Sequence, residues 1–126
     1  MFIEINVSCS QPIYEQLVEQ IKFAIASEAV RVDEMIPSLR ELSKKLALNP
    51  NTVARAYRTL QDEGIVCFRR GTGLAVAPGA KERCEEERRK WFENRLRQLL
   101  DDAGRSRLDP EEIKKIVENT FMRLTG

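Results

Sequence analysis

Ser38-Leu39-Arg40-Glu41-Leu42 and, after a short gap, Leu48-Asn49-Pro50-Asn51-Thr52-Val53-Ala54-Arg55-Ala56-Tyr57 make up the stretch that decides the fold. Ser38 and Glu41 are spaced as a capping box. The serine oxygen can accept from the third helical N–H, and the glutamate can reach back to the serine N–H. A short helix is expected from there to about Leu46. Ala47 and Leu48 make the turn, and Asn49-Pro50 restarts a helix as N-cap and first-turn proline. This second helix carries Val53, Ala56, Tyr57 and Leu60 on one face and stops near Gly64. Two helices so short and so tightly joined are a helix-turn-helix.

Upstream, Pro12 stands where a helix would start, and Tyr14, Leu17, Val18, Ile21 and Ile25 follow at helical spacing, which predicts a helix over about 12–27. Before it, Phe2 to Val7 alternates, with Ile3, Ile5 and Val7 on one side, as a short strand or extended arm would. The linker Glu28–Pro37 ends in Ile36-Pro37, where helix is disfavoured. Downstream, the period changes. Ile65-Val66-Cys67-Phe68 is β-prone, Arg69-Arg70-Gly71-Thr72-Gly73 is a glycine-rich turn, and Leu74-Ala75-Val76 can return as a second strand. A hairpin with arginines near its tip is a wing.

Pro78-Gly79 breaks the chain and is expected to end a winged helix-turn-helix domain over 1–78. The region 79–126 then reads as two helices. The first runs from Lys81 to Ala103 with Gly104 as its C-cap. The second is opened by Asp109-Pro110-Glu111-Glu112. The apolar positions are Phe92, Leu96, Leu99, Leu100 and Ala103 on the first, and Ile113, Ile116, Val117, Phe121 and Leu124 on the second. A hairpin of roughly 46 residues is too small to bury its own core, so it should pack on a partner. The fold class is therefore mostly α with a small β-hairpin wing.

Composition narrows the chemistry. Hydrophobic residues are 42% of the 126 and charged residues 33%, a soluble globular balance. No apolar run approaches the ~20 residues of a membrane span, and Met1-Phe2-Ile3-Glu4 lacks the basic start of a signal peptide, so a cytoplasmic protein is expected. There is no histidine, and Cys9, Cys67 and Cys84 include no Cys-x-x-Cys pair. That argues against metal sites, cofactors and Ser-His or Cys-His catalysis, so no catalytic residue is expected. The cysteines read as unpaired thiols, with Cys84 the one expected to be most exposed. A net charge of +1 hides an uneven distribution. Residues 38–73 hold seven basic side chains against three acidic, whereas residues 1–37 hold two against six. A phosphate backbone would attract the middle segment.

On a helical wheel, Asn51, Arg55, Arg58 and Asp62 point away from the apolar face of the second helix. Arginine can bond guanine O6 and N7 in a bidentate way, and asparagine can do the same to adenine. Arg55 is the first candidate base reader, with Arg58 and Asn51 beside it. Thr52 lies at the groove edge. Asn49 is first an N-cap, and the helix start behind it would present N–H groups to a phosphate. Arg40 should reach the backbone. In the wing, Gly71 permits close approach and Arg70, nearer the tip than Arg69, offers charge.

Pro37-Ser38-x-Arg40-Glu41-Leu42, Leu48-Asn49-Pro50-Asn51-Thr52-Val53-x-Arg55-Ala56-Tyr57, Gly64 and Arg70-Gly71-Thr72-Gly73, in this order and spacing, resemble the GntR family of bacterial transcription regulators. The Asn-Pro-Asn-Thr-Val-x-x-Ala-Tyr run and the two-helix C-terminal part are similar to its YtrA-type branch. The resemblance covers about residues 10–78, and the tail matches in size and helix count. It implies a repressor that binds an inverted-repeat DNA operator as a homodimer, with the C-terminal helices mainly dimerising. The residues expected at that interface are Trp91, Phe92, Leu96, Leu99, Ile113, Ile116, Val117 and Phe121, with Trp91 packing either there or against the DNA-binding domain. Many members have glycine before the Leu-Pro-Ser run, where this chain has Asp33-Glu34-Met35-Ile36. Many also carry arginine where Pro50 stands, which moves the expected base reading onto Asn51, Thr52 and Arg55. A small-molecule effector could bind at the dimer interface or under Trp91. The competing class is a winged-helix module that binds protein. It would need an apolar patch where this chain shows Asn51, Arg55 and Arg58.

Overall fold

The computed structural model describes Met1 and residues 3–126. Helices α1 (Ile13–Ala26), α2 (Leu39–Leu46) and α3 (Pro50–Asp62) are followed by strands β1 (Val66–Arg69) and β2 (Gly73–Val76). Helices α4 (Ala80–Arg105) and α5 (Pro110–Thr125) complete the order. The helices fall within a residue or two of the expected positions, and the antiparallel hairpin is the wing. No helix among the described residues is long and apolar enough to cross a membrane. The chain forms two compact units, Met1–Arg88 and Arg89–Gly126.

The core of the first unit is built on α1. Leu17, Ile21 and Ile25 recur every fourth residue, line one face and are essentially inaccessible, as are Val53 and Leu60 on α3. Ile65, Val66 and Val76 close this core from the hairpin. Each such side chain contributes roughly 1.5–3 kcal/mol when fully buried. The unit runs past the Pro78-Gly79 turn because the first turns of α4 bury Ala80 and Cys84 in the same core. Cys84 is thus the buried thiol and Cys9 the exposed one, the reverse of the expectation. Cys84 is buried within the core of the first unit, and charge density in the surrounding sequence does not report that.

An ionic cluster ties three helices of this unit. Lys22 Nζ on α1 lies 2.7 Å from Glu63 Oε1, at the C-cap of α3, and 2.8 Å from Glu87 Oε2 on α4. The lysine side chain is only 14% exposed, so these pairs are less screened than surface ones.

The N-terminal stretch, expected as a short strand or an extended arm, forms no strand among the described residues. Phe2 lies outside the described residues, and residues 3–6 carry no regular secondary structure. Two glutamines one turn apart on α1 replace a neighbouring strand. Asn6 N–H donates to Gln16 Oε1 (2.9 Å), and Gln16 Nε2 donates back to the Asn6 carbonyl (3.0 Å). Glu4 N–H donates to Gln20 Oε1 (2.8 Å). Ile3 is buried, Ile5 half-buried and Val7 exposed, so the alternating side covers the core only at its start.

The linker before α2 does the sheet pairing instead. Asp33 N–H donates to Val76 O, Val76 N–H to Glu34 O, and Ile36 N–H to Leu74 O, all at 2.9–3.0 Å. β2 therefore lies between β1 and this linker, and Met35 bridges Ala75. Asp33 takes a left-handed conformation at φ 72, where glycine would be unstrained.

In the second unit, α4 continues through Gly104, which does not cap it. The left-handed residue is Arg107 (φ 64), with the Leu108 N–H donating to Ala103 O at 3.4 Å. Asp109 caps α5 as expected, accepting from Glu111 N–H at 3.0 Å. α5 has no buried residue. Phe92, Leu96, Leu99, Ile116, Val117 and Phe121 are all exposed, while Trp91 and Ile113 are partly covered. Leu99, Leu100, Leu108, Ile113, Ile116 and Val117 line an open groove of about 350 Å³ between these two helices.

Candidate nucleic-acid interface

The capping box forms as the sequence predicts. Glu41 N–H donates to Ser38 Oγ (3.1 Å), and Ser38 N–H donates to a Glu41 carboxylate oxygen (3.4 Å). Helix α2 stops at Ala47, which adopts a left-handed conformation (φ 54), and Leu48 N–H donates to Ser43 O at 2.9 Å. That tight wrap turns the chain at once into Asn49, whose Oδ1 accepts from Asn51 N–H at 2.8 Å.

The start of α3 is fully engaged with itself. Pro50 has no N–H, Asn51 N–H is held by the cap, and Thr52 and Val53 donate to Asn49 O at 3.0 and 3.4 Å. The backbone N–H groups expected to meet a phosphate here are therefore already used. At this end the side chains of Asn51 and Thr52 are exposed and half-exposed respectively.

Along α3 the two faces separate as expected. Val53, Ala56, Tyr57 and Leu60 are buried, and Asn51, Arg55, Arg58 and Asp62 are exposed. The Tyr57 hydroxyl donates to Pro37 O at 2.7 Å, which ties α3 to the start of α2. Burial, with the Glu41 charge behind it, raises the ionisation of this phenol well above the usual tyrosine value. Arg40 is exposed in the first turn of α2, and Lys44 and Lys45 are exposed in its last turn.

The hairpin register pairs Val66 with Val76, Cys67 with Ala75, Phe68 with Leu74 and Arg69 with Gly73. Its turn closes with Thr72 N–H donating to Arg69 O at 3.1 Å. Gly71, at φ 81, sits at the third turn position, where positive φ is needed, and a Cβ there would meet nothing within 4 Å. The apex is therefore open to close approach. Gly73 differs, since a Cβ would come within 3.3 Å of Met35 Cε.

Ion pairing sorts the arginines. Arg69 is bonded to the Asp33 carboxylate. Arg40, Arg55, Arg58 and Arg70 make no ion pair among the described residues. Arg55 instead lies over the ring of Tyr14, its Cζ 3.7 Å from the centroid. Between α3, the start of α2 and the hairpin runs an open groove of about 420 Å³, lined by Ser38, Leu39, Tyr57, Arg58, Phe68 and Leu74. Phe68 is 68% exposed there, a large apolar side chain that the strand alternation did not flag.

The expected DNA-contact residues thus lie on α2, on α3 with its N-cap Asn49, and in the hairpin of the first unit, and the four arginines among them make no ion pair among the described residues. Sequence reasoning missed the pairing of Arg69 with Asp33 and the stacking of Arg55 on Tyr14. Both join residues far apart in the chain, and no local periodicity encodes them.

Comparison with known proteins agrees with this architecture. Residues 13–76 match the model of the family described as bacterial regulatory proteins, gntR family. Over 124 residues the chain is 33% identical to the HTH-type transcriptional repressor YtrA of Bacillus subtilis (strain 168), covering 98% of this chain and 95% of that protein. The crystal structure of a transcriptional regulator from Oenococcus oeni superposes with a TM-score of 0.74 at 28% identity, over 95% of this chain and 99% of that one. The structure of AraR(DBD) in complex with operator ORE1 is similar over 61% of this chain and 94% of that one, with a TM-score of 0.51 and 25% identity.

Proposed function

The chain belongs to the GntR family of bacterial regulatory proteins, and from that premise we propose that it is a sequence-specific DNA-binding transcriptional repressor acting as a homodimer on an inverted-repeat operator. One observation carries the reading. The face of α3 opposite the core presents Asn51, Arg55 and Arg58 with their donors unclaimed by acidic neighbours, between the exposed Arg40 and the open wing apex at Arg70-Gly71. A solvated ion-pair face would have matched these arginines with carboxylates, as Arg69 is matched with Asp33. Asn51 and Arg55 read base edges in the major groove, while Arg40, Thr52, Arg58 and the wing hold the phosphate backbone. Asn49 serves by capping the helix that carries the readers. Similarity to a protein named as a repressor, and to a domain solved with an operator, supports the assignment.

The DNA-binding part, with the first turns of α4 packed into its core beyond the Pro78-Gly79 turn, is followed by a dimerisation part. A second copy of the chain covers the exposed Phe92, Leu96, Leu99, Ile116, Val117 and Phe121, with Trp91 and Ile113 at the same surface. Two adjoining copies give the two-fold symmetry an inverted repeat matches. The protein has a binding rather than a catalytic role and works in the cytoplasm, where its operator lies.

Fluorescence anisotropy with the promoter region beside its own gene tests the function. Specific binding in the nanomolar range, falling steeply between 50 and 200 mM salt, is expected. Equal affinity for that duplex and a scrambled one at moderate salt would refute it.

A further inference from the structure

We infer that Tyr14 is a positioning residue for DNA reading: its ring holds the Arg55 guanidinium flat, with the N–H edge left free for a guanine. The inference rests on the reading of α3 as the recognition helix. Tyr14 stands in the first turn of α1 and is half-buried against the core. Its hydroxyl is turned to Glu15 Oε1 at 3.2 Å, so the ring face is what Arg55 meets. The 3.7 Å separation between Arg55 Cζ and the ring centroid is that of a stacked cation–π pair.

Stacking engages the face of the guanidinium and none of its donors, which lie in the plane of the group. Among the described residues Arg55 makes no ion pair, so those donors are not spent within the protein. A free arginine loses rotamer freedom when it docks against a base edge. One already laid on a ring has lost much of it beforehand, and its affinity gains accordingly. The ring also fixes the plane of the guanidinium, and bidentate pairing with guanine depends on that plane. Arg69, held by a carboxylate, has no such freedom to donate.

The experiment uses the full-length chain and the duplex chosen in the binding test above, together with single-base variants and a scrambled duplex. The proteins compared are wild type, Tyr14→Phe, Tyr14→Leu, Arg55→Ala and the double variant Tyr14→Leu/Arg55→Ala. Tyr14→Phe is expected to bind as wild type, because the ring and not the hydroxyl is used. Tyr14→Leu should weaken specific binding about three- to fivefold, as loss of one exposed cation–π contact implies, with scrambled DNA bound as before. The double variant should bind no worse than Arg55→Ala. In the free protein, the upfield ring-current shift of the Arg55 δ protons should vanish in Tyr14→Leu. If Tyr14→Leu melts early, Tyr14→Met repeats the comparison with a long side chain that has no π face. Wild-type affinity in Tyr14→Leu, simple additivity in the double variant, or tighter binding on loss of the ring would overturn the proposal. Silence of Arg55→Ala in a protein that still prefers its operator would sink this inference alone. A wild type with no operator preference would remove the DNA reading itself.

Discussion

The hydroxyl of Tyr57, deep on the buried face of α3, donates a 2.7 Å hydrogen bond to the carbonyl oxygen of Pro37, just before the capping box of α2. The bond fixes α3 against the entry of the preceding helix, so the two halves of the motif are joined at both ends. The left-handed turn at Ala47 joins the other. Replacing Tyr57 with Phe keeps the ring in the core and removes only this link. A loss of about 1 kcal/mol in urea unfolding is expected, at the low end of the range because Pro37 is partly exposed to water. No change in the midpoint would mean that water replaces the bond without cost.

Alkaline pH should destabilise the first unit. Burial, aided by the Glu87 charge, pushes the Cys84 thiol up to about 11. Burial and Glu41 raise Tyr57. For Lys22, desolvation works to lower the value, but hydrogen bonds to Glu63 and Glu87 outweigh it and the ammonium is held above its usual range. All three groups keep their protons more tightly folded than unfolded, so their stability contribution is complete below the unfolded values and is lost as pH rises through the folded ones. Melting temperature should be flat to about pH 8.5. It should then fall between pH 9 and 11 as the unfolded chain alone ionises Cys84, a loss on the order of 2 kcal/mol. In Cys84→Ala the onset should move up toward pH 10, where Tyr57 and Lys22 begin to act. A melt that does not change up to pH 11 would contradict these assignments.

Ala47 holds the helix-turn-helix corner with φ 54, a conformation that costs an L-residue about 1 kcal/mol and glycine almost nothing. Ala47→Gly should therefore stabilise the protein by roughly 0.5–1 kcal/mol in urea unfolding. Operator affinity should be unchanged. A destabilisation would show that the corner is less strained than its backbone indicates.

We propose that Arg40, Arg58 and Arg70 meet phosphates. Changing Arg40 or Arg70 to alanine should weaken operator and scrambled DNA alike and flatten the log–log salt slope by about 1 each. Arg55→Ala should instead cost about 1–3 kcal/mol on the operator and relax its preference at one base pair. Titrations at four salt concentrations separate the two kinds of residue. An unchanged slope in Arg40→Ala would remove it from the phosphate contacts.

The exposed apolar face of the second unit should be sensitive to charge. Leu99→Glu or Phe121→Glu should give monomers in sedimentation velocity and lower operator affinity by an order of magnitude or more, through loss of bivalent binding. The folding of the first unit should be untouched, because neither residue belongs to its core. A dimer that survives both changes would place the interface elsewhere.

Much of the helix-turn-helix and of the polar face of α3 was legible in the sequence. Caps and turns act within four residues, so Ser38–Glu41, Asn49-Pro50 and the glycine-rich wing turn announce themselves locally. The burial of Val53, Ala56, Tyr57 and Leu60 against the exposure of Asn51, Arg55 and Arg58 follows from helical period alone. Other features were misread for one shared reason. Cys84 lies in a charge-dense run yet is buried, and Gly104 lies in a helix it was expected to end. In each case the deciding neighbour is a distant segment or a local geometry that residue type alone does not specify.

By itself, then, the sequence determined the succession of helices, the capped corner, the wing and the polar face of α3, because these depend on interactions between residues close in the chain. Only the tertiary structure decided which arginines are available. Arg69 is claimed by Asp33 and Arg55 is laid on Tyr14, while Arg58 and Arg70 make no ion pair among the described residues. The physical reason is range. A charge or a π face acts on whatever packing brings within a few ångströms, and the partner that packing chooses is spelled nowhere near it in the chain.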